Sequence, residues 1–242
     1  KKEAKLLRLK KQLYMTSDKH NQLRLYNQIY REYYTYRYDS AMTYAKKGYQ
    51  LAVQLQDDYF INLNKINRAA VLSTGGFYSQ AEDLMLAMDV EKMSPKLLQY
   101  YYYTLTWVYN YWENFCNKSE FQEGLAAKKR FYLGKTLEHI GNKESALYYY
   151  LSGEVEYLKQ RTSKKTLQFY MKALSACPLN SRVYASSAYC IARYYYDTDQ
   201  KDLYEKYIVE AAISDQICPL KENLALQEFS TYLFNKDASY AK

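Results

Sequence analysis

Glycine and proline are nearly missing from this chain: 7 and 3 among 242 residues. Sandwiches and barrels need turn residues every 8–12 positions or so, and that supply is absent here. Phosphate-cradling loops are also excluded, because neither G-x-x-x-x-G-K-[ST] nor G-x-G-x-x-G occurs. There are two histidines, His20 and His139, and neither belongs to a nucleophile motif. The four cysteines, Cys116, Cys177, Cys190 and Cys218, contain no C-x-x-C pair and no zinc spacing. Cys177-Pro178 and Cys218-Pro219 sit at comparable helix ends, and no bond is assigned between them. Acid pairs such as Asp57-Asp58 and Glu82-Asp83 are adjacent, so on a helix they diverge by about 100° and do not aim at one bond. The least polar stretch, Leu97 to Trp112, is mostly tyrosine with polar interruptions and does not suit a membrane span. No signal peptide is visible. Nothing supports an enzyme, a metal site or a cofactor.

Tyrosine is what the chain has in excess: 32, against 8 Phe and 2 Trp. Its ring is apolar and its hydroxyl wants a partner, which suits the core of a thin helical array. The functional alternative is an aromatic binding surface. The net charge is +8, with Lys10-Lys11, Lys46-Lys47, Lys128-Lys129-Arg130 and Lys164-Lys165 as short basic clusters. They are dispersed and mixed with acids, whereas nucleic-acid footprints concentrate on one element. Solvated helix faces are the reading adopted, with no direct nucleic-acid contact.

The stretch from Asn64 to Met88 reads as helix, tight turn, helix. Ala69 and Ala81 are twelve apart and straddle Gly75-Gly76. Small residues at that spacing let two helix axes approach to roughly 8–10 Å, and the pattern resembles a tetratricopeptide (TPR) hairpin. Gly76 before Phe77 supplies a left-handed helix stop. Ala41 and Gly48 repeat the signature seven apart on one face, and Gly134 and Ala146 repeat it twelve apart. Tyr204 and Ala211 fill the corresponding slots near the end. One such hairpin cannot bury its apolar face alone, so neighbours must stack on it.

Break signals complete the pattern. Thr16-Ser17-Asp18, Ser94-Pro95, Gly141-Asn142, Arg161-Thr162-Ser163, Pro178-Leu179-Asn180 and Asp197-Thr198-Asp199 separate amphipathic runs. Pro219 starts a helix to about Phe234, and Asn235-Lys236-Asp237-Ala238 begins another, with Ala238 in a small-residue slot. The expected fold is all-α: about twelve helices as antiparallel hairpins in one superhelical domain over 1–242. Ala69, Ala81, Gly134 and Ala146 are expected as buried contacts between paired helices. The chain starts without Met and stops inside an apparent helix, so it is expected to be a piece of a longer protein.

Two stretches are more specific. Glu210-Ala211-Ala212-Ile213-Ser214-Asp215-Gln216-Ile217, followed by Lys221-Glu222-Asn223-Leu224-Ala225-Leu226-Gln227-Glu228, resembles the end of the sensor array in a family of Bacteroidetes TPR regulators. Tyr38-Asp39-Ser40-Ala41-Met42-Thr43-Tyr44-Ala45 resembles the same family. The resemblance implies an exported, periplasmic input domain. It also implies a membrane tether and a transcriptional output region downstream.

The expected ligand is a peptide or protein segment on the surface lined by the first helices of the hairpins. Asn67 and Arg68 are the candidates from the second hairpin, and Tyr103, Tyr109 and Asn110 from the third. The alternative function is an intracellular scaffold gripping a partner's tail. A chaperone-tail clamp would need Asn one turn after Lys65, and Ala69 stands there.

Overall fold

The computed structural model describes residues 2–34, 37–218 and 224–240, with side chains through residue 236. Among these residues there are twelve helices and no strand. The helices gather into two compact units, Lys1–Ile140 and Gly141–Lys242. The first unit holds α1 (Lys2–Met15), α2 (Lys19–Tyr33), α3 (Tyr38–Gln54), α4 (Asp58–Thr74), α5 (Tyr78–Leu86), α6 (Pro95–Phe115) and α7 (Gln122–His139). The second holds α8 (Ala146–Lys159), α9 (Lys164–Ala176), α10 (Arg182–Asp197), α11 (Lys201–Ile217) and α12 (Leu224–Tyr240).

Helix starts follow capping chemistry. Asp18, Asp57, Ser145, Ser163 and Ser181 each accept a backbone N–H of the turn they open. Ser94 is followed by Pro95 at the first helical position, where no donor is lost. Three helices end in the same left-handed stop. Gly76 has φ 84°, and Gln56 and Asp199 adopt φ 53° and 55°. In each, the next N–H bonds back five residues: Asp57 to Ala52, Phe77 to Leu72 and Gln200 to Tyr195, at 2.9–3.0 Å. Gly76 is the stop that its residue type announces; Gln56 and Asp199 hold the same geometry despite their Cβ atoms.

In the first unit, Ala69 and Ala81 are wholly buried in one cluster with Ile66, Met85, Leu105 and Tyr109. A second cluster joins Leu6 and Leu9 of α1 to Ile29, Ala41 and Ala45. Gly48 is small for a visible reason: a Cβ there would stand 2.5 Å from Asn64 Oδ1. Gly75 likewise gives way to the ring of Tyr38.

The Gly134–Ala146 expectation fails. A Cβ on Gly134 would meet nothing within 4 Å, and Ala146 is only half-buried. Helix α7 packs on α6, and α8 packs on α9. The α6–α7 contact falls instead on Leu133 and Thr136, whose hydroxyl lies 3.3 Å from that of Thr106.

In the second unit, the small residue opposite a partner is Gly153, because the Tyr170 ring lies on it: a Cβ would sit 2.5 Å from Tyr170 Cε1. Tyr204 and Ala211 are buried, as their slots require. The expected break at Asn235-Lys236 does not occur, since α12 runs unbroken from Leu224 to Tyr240. Pro219 and the Lys221-Glu222-Asn223 part of the motif lie outside the described residues, as does the side chain of Ala238. Asp215, from the same motif, is buried and accepts the Ala225 N–H at 3.2 Å, which fastens the first turn of α12 to α11.

Candidate functional site

In stacked hairpins the first helices lie side by side and offer the recognition surface. Here these are α2, α4 and α6 in the first unit and α8, α10 and α12 in the second. In both units, polar side chains of the middle helix reach across to both neighbours.

In the first unit that residue is Asn67. It is 1% exposed. Its Nδ2 donates to Asn27 Oδ1 on α2 at 3.2 Å, and its Oδ1 accepts the Tyr100 hydroxyl on α6 at 3.0 Å. Its main-chain carbonyl accepts the Tyr30 hydroxyl at 3.2 Å. A buried amide must be satisfied, and this one is. Burial pushes the Tyr30 phenol well above its ordinary range, with the neighbouring Tyr100 adding to the shift. The network stays neutral and acts as a strut between three helices.

The other predicted residues scatter. Arg68 is half-buried and lies over the Tyr49 ring of α3 at 5.5 Å, so it belongs to the α3–α4 junction. Its Nε is buried with no hydrogen-bond partner. Tyr109 is 1% exposed and points into the core, stacked on Tyr132 at 5.4 Å, so it leaves the candidate surface. Tyr103 and Asn110 are half-buried on α6. Tyr103 meets Trp107 edge-on at 6.1 Å, and Trp107 meets Tyr111 at 5.8 Å. Spacing of four places these three rings along one face of α6.

In the second unit the middle helix carries Arg193. Its Nη2 donates to the Tyr157 hydroxyl on α8 at 2.7 Å. Its guanidinium lies 5.1 Å from the Tyr157 ring centre and 5.8 Å from that of Tyr189. Tyr189, one turn earlier, donates to Glu228 Oε2 on α12 at 2.5 Å. Glu154 on α8 accepts the Tyr170 hydroxyl at 2.7 Å and the Cys190 thiol at 3.4 Å. Burial works against the Arg193 charge, but Tyr157, Tyr189, Cys190 and Glu154 more than offset it, and its pKa lies above the ordinary arginine value.

The family model described as the SusR N-terminal TPR domain matches residues 1–240. The chain belongs to that family. No curated protein and no solved structure matches it. The match spans both units of this SusR-type TPR domain and bears out the resemblance read from the Glu210–Glu228 and Tyr38–Ala45 stretches. TPR domains mediate protein or peptide interactions, and none of the described helices is long and apolar enough to cross a membrane.

The Lys128-Lys129-Arg130 cluster of this SusR-type domain is engaged by carboxylates. Lys128, Lys129 and Arg130 pair with Glu82, Glu113 and Glu123 respectively. Lys165 reaches Glu156 at 3.3 Å. His20 is largely exposed beside Asp57, and His139 rests on Tyr102 with its Nδ1 against the Lys135 carbonyl. Sequence reading missed Asn27, Tyr100, Tyr157, Tyr189 and Arg193. Arg193 alone carried a signal: it is the one cation between the apolar Cys190-Ile191-Ala192 and the run Tyr194-Tyr195-Tyr196.

Proposed function

We propose that this chain is the ligand-binding input domain of a membrane-tethered transcriptional regulator. It acts in the periplasm and takes a peptide or protein segment on the first helices of its hairpins. The observation that carries this reading is the family match over residues 1–240, to a domain described as N-terminal, which supports a further region downstream. Both compact units serve the one input domain in this reading. Tyr103 and Asn110, half-buried on α6, remain the contact candidates of the first unit. Asn67 supports them from beneath rather than touching ligand, since its side chain is satisfied within the protein.

The test joins the chain to its native downstream region and a reporter gene. A phosphatase fused to the domain reports its compartment, and activity is expected only outside the inner membrane. Tyr103→Ala and Asn110→Ala should weaken the response to inducing conditions while leaving the helical circular-dichroism signal unchanged. An unaltered response in both variants would remove this surface from the proposal.

A further inference from the structure

Two arginines converge on one tyrosine in the second unit. Arg193 lies 5.1 Å and Arg161 5.7 Å from the centre of the Tyr157 ring. Arg193 is half-buried, and Arg161 is exposed at the rim. Neither forms an ion pair with any described residue, whereas Lys128, Lys129 and Arg130 are all paired. Glu154, whose charge acts on Arg193, accepts from Tyr170 and Cys190, Glu228 accepts from Tyr189, and Asp197, one turn beyond Arg193, acts on Tyr157 without pairing with either arginine. A guanidinium carries five N–H donors, and one hydrogen bond is recorded for Arg193. Charges withdrawn from water are ordinarily paired. Here two cations share the Tyr157 ring, and among the described residues no carboxylate lies within ion-pair distance of either.

We infer that Arg193, Tyr157 and Arg161 form a receptor for a carboxylate carried by the bound peptide segment. This rests on the peptide-binding reading above and names the group recognised. The Arg193 fork, set near the Tyr157 and Tyr189 rings, can match a carboxylate in bidentate fashion. Arg161 closes the rim as a second cation. A phosphate dianion suits the place less well, because the Glu154 carboxylate lies one turn from Tyr157 on α8 and repels added negative charge.

The experiment uses the full chain and NMR of the arginine Nε–H signals, with Arg193 assigned from its loss in Arg193→Lys. Four probes are titrated: N-acetyl-Ala-Ala-Leu with a free C-terminal carboxylate, the same peptide as its amide, acetate, and inorganic phosphate. The acid peptide should shift the Arg193 signal saturably, and the amide should bind at least about tenfold more weakly. Acetate should compete only at much higher concentration, which separates a peptide carboxylate from a free one. Arg193→Lys and Arg161→Met keep the aromatic packing and should each weaken the acid peptide several-fold; Arg193→Met should abolish its binding. Equal binding of acid and amide overturns the carboxylate assignment but leaves the peptide reading standing. Unchanged affinity in Arg193→Lys and Arg161→Met, or displacement by phosphate in preference to acetate, also overturns it. Absence of binding by either peptide, together with an unaltered reporter response in the Tyr103 and Asn110 variants, overturns both readings.

Discussion

Tyr109 on α6 donates its hydroxyl to Glu82 on α5, and Lys128 on α7 holds the same carboxylate oxygen at 2.7 Å. The arrangement recurs in the second unit. Tyr232 on α12 donates to Glu205 on α11, and Lys236 reaches that oxygen at 2.7 Å. Both tyrosines follow their glutamate by 27 residues. Glu82 follows the buried Ala81 and Glu205 follows the buried Tyr204, so the clamp occupies the same place in each hairpin. The tyrosine excess is therefore largely structural here. A ring fills the layer between helices, and its hydroxyl finds a carboxylate at the edge.

The clamp makes an acid-side prediction. Burial alone raises the Glu82 pKa, but Lys128 and Tyr109 outweigh it and hold the group below the ordinary carboxylate value of 4.5. A lowered folded pKa contributes stability that is present above about pH 4.5 and lost as pH falls below it. Glu82→Gln should cost about 1–2 kcal/mol at pH 7, from lost charge-assisted hydrogen bonds. It should also flatten stability between about pH 5 and 3 relative to the parent. Chemical denaturation at several pH values measures both. A parallel pair of curves, offset but equally steep in acid, would mean that Glu82 is not the titrating group.

On the alkaline side, the buried phenols set the limit. Burial raises Tyr101, Tyr184 and Tyr204 to about 12, and hydrogen bonding to Glu210 adds to the shift at Tyr184. Raised folded values mean stability that is complete below about pH 10 and lost above it. Tyrosinate absorbance at 295 nm should therefore rise in two phases. The exposed phenols ionise near pH 10, and the buried group ionises together with loss of helical signal. A single phase near pH 10 with the helices intact would refute the placement of these hydroxyls away from water.

Left-handed backbone at Gln56 and Asp199 offers a test of strain. Gln56→Gly and Asp199→Gly should each stabilise by about 0.5–1 kcal/mol, because glycine adopts that conformation without the Cβ penalty. Gly76→Ala should cost about 1 kcal/mol, although a Cβ there meets nothing within 4 Å. Loss of stability in the two glycine variants would show that their side chains contribute more than the backbone strain removes.

How legible the fold was depends on which residues carried each contact. Ala69 and Ala81 were readable because small residues leave a pattern in sequence, and both are fully buried. The same pattern at Gly134 and Ala146 misled, since open space surrounds Gly134. Two variants separate the cases. Ala81→Leu should overpack its site and cost about 1–3 kcal/mol. Gly134→Ala should be neutral or stabilise by up to about 1 kcal/mol, as expected for an unobstructed helix interior. The candidate site was less legible, because Asn67, Tyr109 and Arg193 differ in what surrounds them. No spacing rule distinguishes an amide bridging three helices from one facing a ligand. The Gln56 and Asp199 turns were invisible for a related reason: the helix-end bonds from Asp57 to Ala52 and from Gln200 to Tyr195 close in a conformation these residue types do not favour.

The last helix provides the coupling test. Helix α12 is fastened to α11 through Tyr232, Lys236 and Glu205, to α10 through Glu228 and Tyr189, and at its first turn through Asp215. If the domain signals through this end, bound ligand must favour one placement of α12. It can shift that placement only by the difference in its affinity for the two states. Glu205→Gln removes both partners' charged acceptor. It should speed amide exchange across α12 several-fold while leaving the buried centre of α10 unchanged, because local openings report local contacts. In the reporter fusion the same variant should shift basal output, and deletion from Ser214 onward should abolish regulation. Unchanged exchange in α12 would show that Glu205 does not hold it. Regulated output that survives the deletion would rule out the final helices as the coupling element.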